Sequence, residues 1–307
     1  MEIAPFEMHE IILYVIAPPY PINWQGPADL LNSAIKSFSK MIFSFQYRFI
    51  GHTIVVLKSS HIEETKAYSI SGAKPIEVFK GVFKEGIGLG ILGGIFKAYI
   101  ESPHKIESTL RFNSKKGKVL FIKYRINAAS AKRIIDFFER FEHKFDNHFA
   151  PMDFYGGALW PLYENEGAAC SAFCVSTLIA GNLINEEAEE WKVNFKIPIK
   201  LIGGRYNKGN KVSVPDVLRT KEWYHEEGIE GVDFISLEIY DPNKMFNWIK
   251  KTLEINDNYF KPVTENGISG LLVDCRDLDI EGETAPITKR PAISSFISEY
   301  YSQAGLM

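Results

Sequence analysis

The phrase Tyr163-Glu164-Asn165-Glu166-Gly167-Ala168-Ala169-Cys170-Ser171-Ala172-Phe173 sets a cysteine among small residues at the predicted start of a helix. A cysteine in a first helical turn lies in the field of backbone N–H groups that have no intrahelical partner. That field favours thiolate over thiol and makes a nucleophile. The small neighbours let a substrate approach closely, and the free N–H groups would serve as an oxyanion hole. Cys174, one turn further on, and Cys275 read as small core hydrophobes, the usual role of a buried thiol, and the same core reading is the alternative for Cys170.

A thiol nucleophile needs a base, and histidine titrates near neutrality. Of the seven histidines, His9 precedes the first strand, His61 sits at a turn, and His104 follows Pro103. His143 and His148 flank a helix end, and His225 lies in an acidic loop. His52 differs from all of these. It opens a strongly apolar strand directly after Gly51, so its ring projects at a strand end beside a residue with no side chain to crowd it. A histidine satisfied within the core is the alternative reading there. No metal is expected, because Cys170 and Cys174 lack a second Cys/His pair at ligand spacing. No cofactor is implied either: Gly86-Ile87-Gly88-Leu89-Gly90 lacks the flanking strand and helix and the Lys-Ser/Thr of a phosphate loop.

The elements that must position these residues follow from periodicity and punctuation. Glu10 to Ala17 predicts a strand closed by Pro18, Pro19 and Pro21, and Ala28 to Met41 a helix. Arg48 to Lys58 and Glu64 to Ser71 predict an antiparallel hairpin turning at Ser59-Ser60. Lys118 to Ile126 alternates as a strand. Ser130 to His143 carries Ile134, Ile135, Phe137, Phe138 and Phe141 at helical spacing after a candidate N-cap, Ser130. Ala169 to Leu183 predicts a buried helix ended by Gly181 or Asn182. Ser236 to Tyr240, Met245 to Leu253 and Ile268 to Val273 predict a strand-helix-strand unit. These elements give an α+β chain, with residues 1–210 as the domain carrying both Cys and His and 211–307 as a C-terminal α/β extension or small accessory subdomain.

With 35 Lys+Arg against 38 Asp+Glu, the 307-residue chain has a net charge of −3 and no basic surplus for nucleic acid. Its 46% hydrophobic content excludes disorder as the main state. Three cysteines are too few and too odd for a disulfide framework. Glu2, Glu7 and Glu10 stand where a secretory leader would place basic residues, so cytoplasmic residence is the default expectation, with export by a signal-less route left open. Gly81 to Ile100 is apolar, but its uncharged centre, Gly86 to Phe96, is only 11 residues, short of the roughly 20 needed to span a bilayer. It reads as a buried loop-helix where backbones approach closely, or as an apolar flap.

The order Gly51-His52-Thr53 leading a strand, a neighbouring strand ending in Tyr68-Ser69-Ile70-Ser71-Gly72, an intervening helix, and an aromatic turn entering a Cys-x-x-Phe helix resembles the circularly permuted branch of the NlpC-type papain-like superfamily. That branch includes the lecithin:retinol acyltransferase-like proteins, and the resemblance covers residues 10 to 185. It implies an antiparallel sheet packed on helices, Cys170 as nucleophile and His52 as base. It also implies a third polar residue on the strand after His52, for which Glu64, Tyr68 and Ser69 are the candidates; each reads alternatively as part of a solvated strand face, the favoured reading for Glu64, and a Cys-His dyad is the alternative to a triad. The implied activity is a cysteine hydrolase or acyltransferase working through a thioester. An acylated small molecule or lipid is the favoured substrate, with peripheral membrane contact through the Gly81 to Ile100 flap. A peptide or peptidoglycan amidase is the alternative, and a non-catalytic binding protein on the same scaffold is the second.

Overall fold

The computed structural model describes residues 8–306 except 45–47, 49, 73, 145–148, 185 and 256–257; Glu2, Glu7 and His148, named above, lie outside the described residues. Strand β1 (His9–Ile16) ends at the proline cluster, and helix α1 (Pro27–Phe43) starts with proline at its first position, where the missing N–H costs nothing. Strands β2 (His52–Ser59) and β3 (Lys66–Tyr68) form the predicted hairpin, with Val55 opposite Tyr68. The chain leaves that ladder at Ser69 and resumes as β4 (Ile70–Ser71). Helix α2 (Pro75–Lys80), a π turn over Gly81–Glu85, a 3-10 turn over Leu89–Ile91, and strands β5 (Ile95–Lys97) and β6 (Tyr99–Ile100) make up the next segment. Helix α3 (Pro103–Ser114), β7 (Val119–Ile126) and α4 (Ala128–Glu142) follow. The N-cap of α4 is Asn127, whose side chain accepts from the Ser130 N–H; Ser130 sits inside the first turn, not at the cap.

Strand β8 (Phe154–Gly156) precedes the cysteine-bearing helix α5 (Cys170–Ala180). The remaining elements are α6 (Glu187–Glu190), β9 (Lys192–Pro198), α7 (Val214–Arg219), β10 (Phe234–Tyr240), α8 (Pro242–Leu253), β11 (Lys261–Glu265), β12 (Ile268–Cys275) and α9 (Ser295–Ala304). The central sheet runs β11-β12-β7-β1-β2-β3. All of its pairs are antiparallel except β12 with β7, so the sheet is mixed where an antiparallel one was expected. The cause is the route of the C-terminal residues, which arrive beside β7 running in the same direction. Residues after 210 thus supply two strands of the central sheet, and β10 pairs with β9.

Period-two alternation divides the sheet. Ile11, Leu13 and Val15 of β1, Val55 and Leu57 of β2, and Ile122, Tyr124 and Ile126 of β7 join the buried core formed with α4, α5 and α8. The alternate residues Ile12, Ile16, Ile54, Val119 and Phe121 pack on the other side with Ile106 of α3. Helices therefore cover both faces. Among the described residues no helix is long and apolar enough to cross a membrane.

Candidate active site

His52 is the first residue of β2 and is buried. The preceding Gly51 is fixed by close approach: an added Cβ there would lie 2.6 Å from the Pro242 Cβ and 3.0 Å from the Ile16 carbonyl oxygen. Any side chain would push the start of α8 away from the strand end. The His52 Nε2 stands 2.7 Å from the Ser69 hydroxyl, which itself donates to Glu101 Oε2 at 2.7 Å. Arg48 closes the chain, donating to Glu101 Oε1 at 2.5 Å and to the Ser71 hydroxyl at 3.1 Å. The polarity of this relay is determined. An ionised carboxylate only accepts, so the Ser69 proton points to Glu101 and the Ser69 oxygen accepts from Nε2–H. Neutral His52 therefore carries its proton on Nε2, leaving Nδ1 with the lone pair a base requires. Burial, and then the Arg48 charge, hold the His52 pKa well below its ordinary value, so the ring is neutral at neutral pH.

Cys170 begins α5 as expected, and Ala169 at the N-cap has no side chain to satisfy the first N–H groups. Helix α5 is anchored by Phe173, whose ring lies 4.6–5.7 Å centroid to centroid from Tyr68, Phe137, Phe138 and Phe141. Such aromatic pairs add about 0.5–1.5 kcal/mol each beyond burial. Burial pushes the Cys174 thiol well above its ordinary pKa. Cys174 and Cys275 are both buried packing residues.

Cys170 and His52 line one cavity of about 490 Å³, within the roughly 300–1,000 Å³ of small-molecule sites. No direct hydrogen bond joins the thiol to the ring. The thiol's hydroxyl neighbour is Ser171 at 3.9 Å, and Tyr155 lies within reach of both the sulfur and the Cys170 backbone N–H. Burial, and then the Cys170 sulfur, push the Tyr155 hydroxyl above its ordinary pKa, keeping it a donor. Gly72 makes room for this ring, since a Cβ there would sit 2.2 Å from the Tyr155 Cδ1. Arg48, Glu101, Tyr155 and Asp241 line the same cavity. Asp241 is already occupied, accepting from the Trp24 indole and from the Asn243 N–H at the start of α8. The rest of the wall is largely apolar: Leu30 and Leu31 of α1, and Val82, Phe83, Leu89 and Leu92 of the glycine-rich segment. That segment lies against the site, though as short turns and strands instead of a loop-helix.

Of the three candidates for the third residue, Ser69 is the one at the histidine. Tyr68 turns into the aromatic core with its hydroxyl on Glu142, and Glu64 is exposed. None of the other described histidines lines the cavity. Glu101, Arg48 and Tyr155 were not singled out from the sequence. Nor was the ion pair that holds the approach to Cys170: the fully buried Glu166 carboxylate takes both Arg290 Nε and Nη2, at 2.5 and 2.7 Å, and also accepts from the Trp160 N–H. Arg290 reaches the Ala158 carbonyl as well, so a C-terminal residue fixes the loop entering α5. Among the described residues no group of three or more His, Cys, Asp or Glu is placed to hold a metal ion.

Comparison of the chain with protein families, with curated proteins and with solved structures returns no match.

Proposed function

We propose that this protein is a cysteine hydrolase or acyltransferase with a circularly permuted papain-like core, in which Cys170 is the nucleophile and His52 the general base. The observation that carries the reading is the joint one: a helix-initial thiol and an imidazole of defined tautomer border one largely apolar cavity. His52 Nδ1 takes the thiol proton as Sγ attacks the substrate carbonyl carbon. The Cys170 and Ser171 N–H groups and the Tyr155 hydroxyl receive the developing oxyanion. Collapse of the tetrahedral species breaks the bond to the leaving group, which takes the proton from the imidazolium and leaves a thioester. Water or another acceptor, deprotonated by His52, then attacks that thioester and releases Cys170. The absence of a direct thiol–imidazole hydrogen bond is compatible with this scheme, because such contacts often tighten only when substrate is bound.

The apolar wall favours an acyl chain over a peptide backbone, which would need polar partners along its length. Incubation with p-nitrophenyl acyl esters, followed by intact-mass measurement, tests the assignment. Wild-type protein gains one acyl mass on Cys170 and releases p-nitrophenol, whereas Cys170→Ala does neither. An iodoacetamide time course modifies Cys170 well ahead of Cys174 and Cys275. Equal labelling of all three, with no acyl adduct, refutes the enzyme reading, and release from peptidoglycan without any acyl adduct from esters favours the amidase instead.

A further inference from the structure

The outer rim of the cavity is apolar as well as its wall. Ile50, Phe83 and Tyr99 line the cavity and yet are 43%, 49% and 48% exposed. Three large apolar side chains at one opening are more than the scattered single exposures of an ordinary surface. They are continuous with the interior through Val82, Leu89 and Leu92, so an apolar path runs from bulk solvent to Cys170. The cations beside them are Lys74, Lys80 and Lys84, all exposed. Of the carboxylates on the same segment, Glu77 is turned back onto the Lys74 N–H and Glu85 lies 3.9 Å from Lys80. Lys74, Lys80 and Lys84 against these two carboxylates leave the segment one positive charge in excess at the mouth of a molecule whose net charge is −3.

We propose that this rim docks on an anionic phospholipid surface, with Ile50, Phe83 and Tyr99 entering the interfacial layer and Lys74 and Lys84 meeting lipid phosphates. Exposed apolar residues flanked by lysine are the features that hold a protein at such an interface. Neither component suffices alone: three partly exposed side chains give weak partitioning, and two lysines are screened within about 8–10 Å at physiological salt. Together they orient the cavity mouth towards the bilayer, so that an acyl chain passes from lipid to Cys170 without crossing water.

The test is co-sedimentation of full-length Cys170→Ala protein with vesicles of phosphatidylcholine alone and of phosphatidylcholine with phosphatidylglycerol at 3:1. This variant removes turnover from the measurement. Binding to the anionic vesicles that weakens between 50 and 500 mM salt is expected. Lys74→Glu with Lys84→Glu lowers the partition coefficient by roughly fivefold or more per lysine, and Ile50→Glu with Phe83→Glu abolishes binding. Lys250→Glu with Lys251→Glu, at the far end of α8, leaves it unchanged. Circular dichroism and thermal unfolding of each variant separate lost docking from lost folding. Absence of binding at 50 mM salt, or equal loss from the α8 pair, overturns the proposal. So does concentration-dependent self-association in the absence of lipid that Ile50→Glu with Phe83→Glu disrupts, which would make the rim a contact between two copies. Thioester formation on soluble esters is measured separately, so docking and catalysis fail or stand independently.

Discussion

The relay from Arg48 through Glu101 and Ser69 to His52 makes a sharp demand on two conservative substitutions. Ser69 is fully buried, so Ser69→Ala leaves the Nε2–H without an acceptor and without water to replace it. A buried orphaned donor costs about 1–3 kcal/mol. The cost is heaviest when Nδ1 takes the thiol proton, because the ring is then cationic and its Nε2–H bond is charge-assisted. At about 1.36 kcal/mol per tenfold, acylation of Cys170 slows by roughly 5–150-fold. Glu101→Gln nearly preserves shape but reverses polarity. Arg48 continues to claim an oxygen, the only one the amide has, which turns the amide NH2 towards Ser69. The Ser69 oxygen then accepts from that NH2, and its own proton is driven onto His52 Nε2. The proton of neutral His52 moves to Nδ1, where it blocks the base. The isosteric variant is therefore the more damaging one and forfeits the full general-base contribution of about 10²–10⁴. Single-turnover release of p-nitrophenol gives the acylation rates, and 15N shifts of the labelled imidazole give the tautomer. A Glu101→Gln rate within twofold of wild type, in protein where Cys170→Ala is inert, refutes the relay. So does an Nδ1–H tautomer in the wild type.

Two further outcomes follow from buried charge. The His52 pKa is lowered by burial and by Arg48, so below the unfolded-state value of about 6.5 the unfolded chain binds a proton that the folded chain refuses. Stability therefore falls as pH drops from 6.5 towards the folded pKa, by at most about 1.4 kcal/mol per pH unit from this group, and His52→Gln flattens that part of the curve in urea titrations at pH 5–7. A profile unchanged by His52→Gln would show that the ring does not titrate between the two states. Arg290→Met strands the Glu166 carboxylate, whose side chain is fully buried, at a cost of about 3–5 kcal/mol. Thermal unfolding should fall steeply, and Glu166→Gln in the same chain should restore part of the loss; additive destabilisation by the two substitutions would count against a coupled pair.

The residues legible in the sequence are those whose signal is local. Gly51-His52 opens an apolar strand and Cys170 opens a helix among small residues, and both land where those patterns place them, on β2 and α5, bordering one cavity. Arg48, Glu101 and Arg290 carry no periodic signal. Their roles arise from pairings across 53 residues to Glu101 and 124 residues to Glu166, and a lone charged side chain looks the same whether it is solvated or paired. Ser69 lies between these cases. Alternation predicts one strand from Glu64 to Ser71, yet the ladder with β2 ends at Val55 opposite Tyr68, and β4 pairs with β6 instead. The break has a physical cause at Ser69 itself, whose carbonyl accepts the Glu101 N–H while its hydroxyl bridges Glu101 and His52. A residue continuing the β2 ladder would keep its backbone engaged there and could not bring Glu101 to the imidazole. The departure from regular strand geometry is thus the means by which the relay is assembled, and a local rule fails at the point where a functional site would require it to fail.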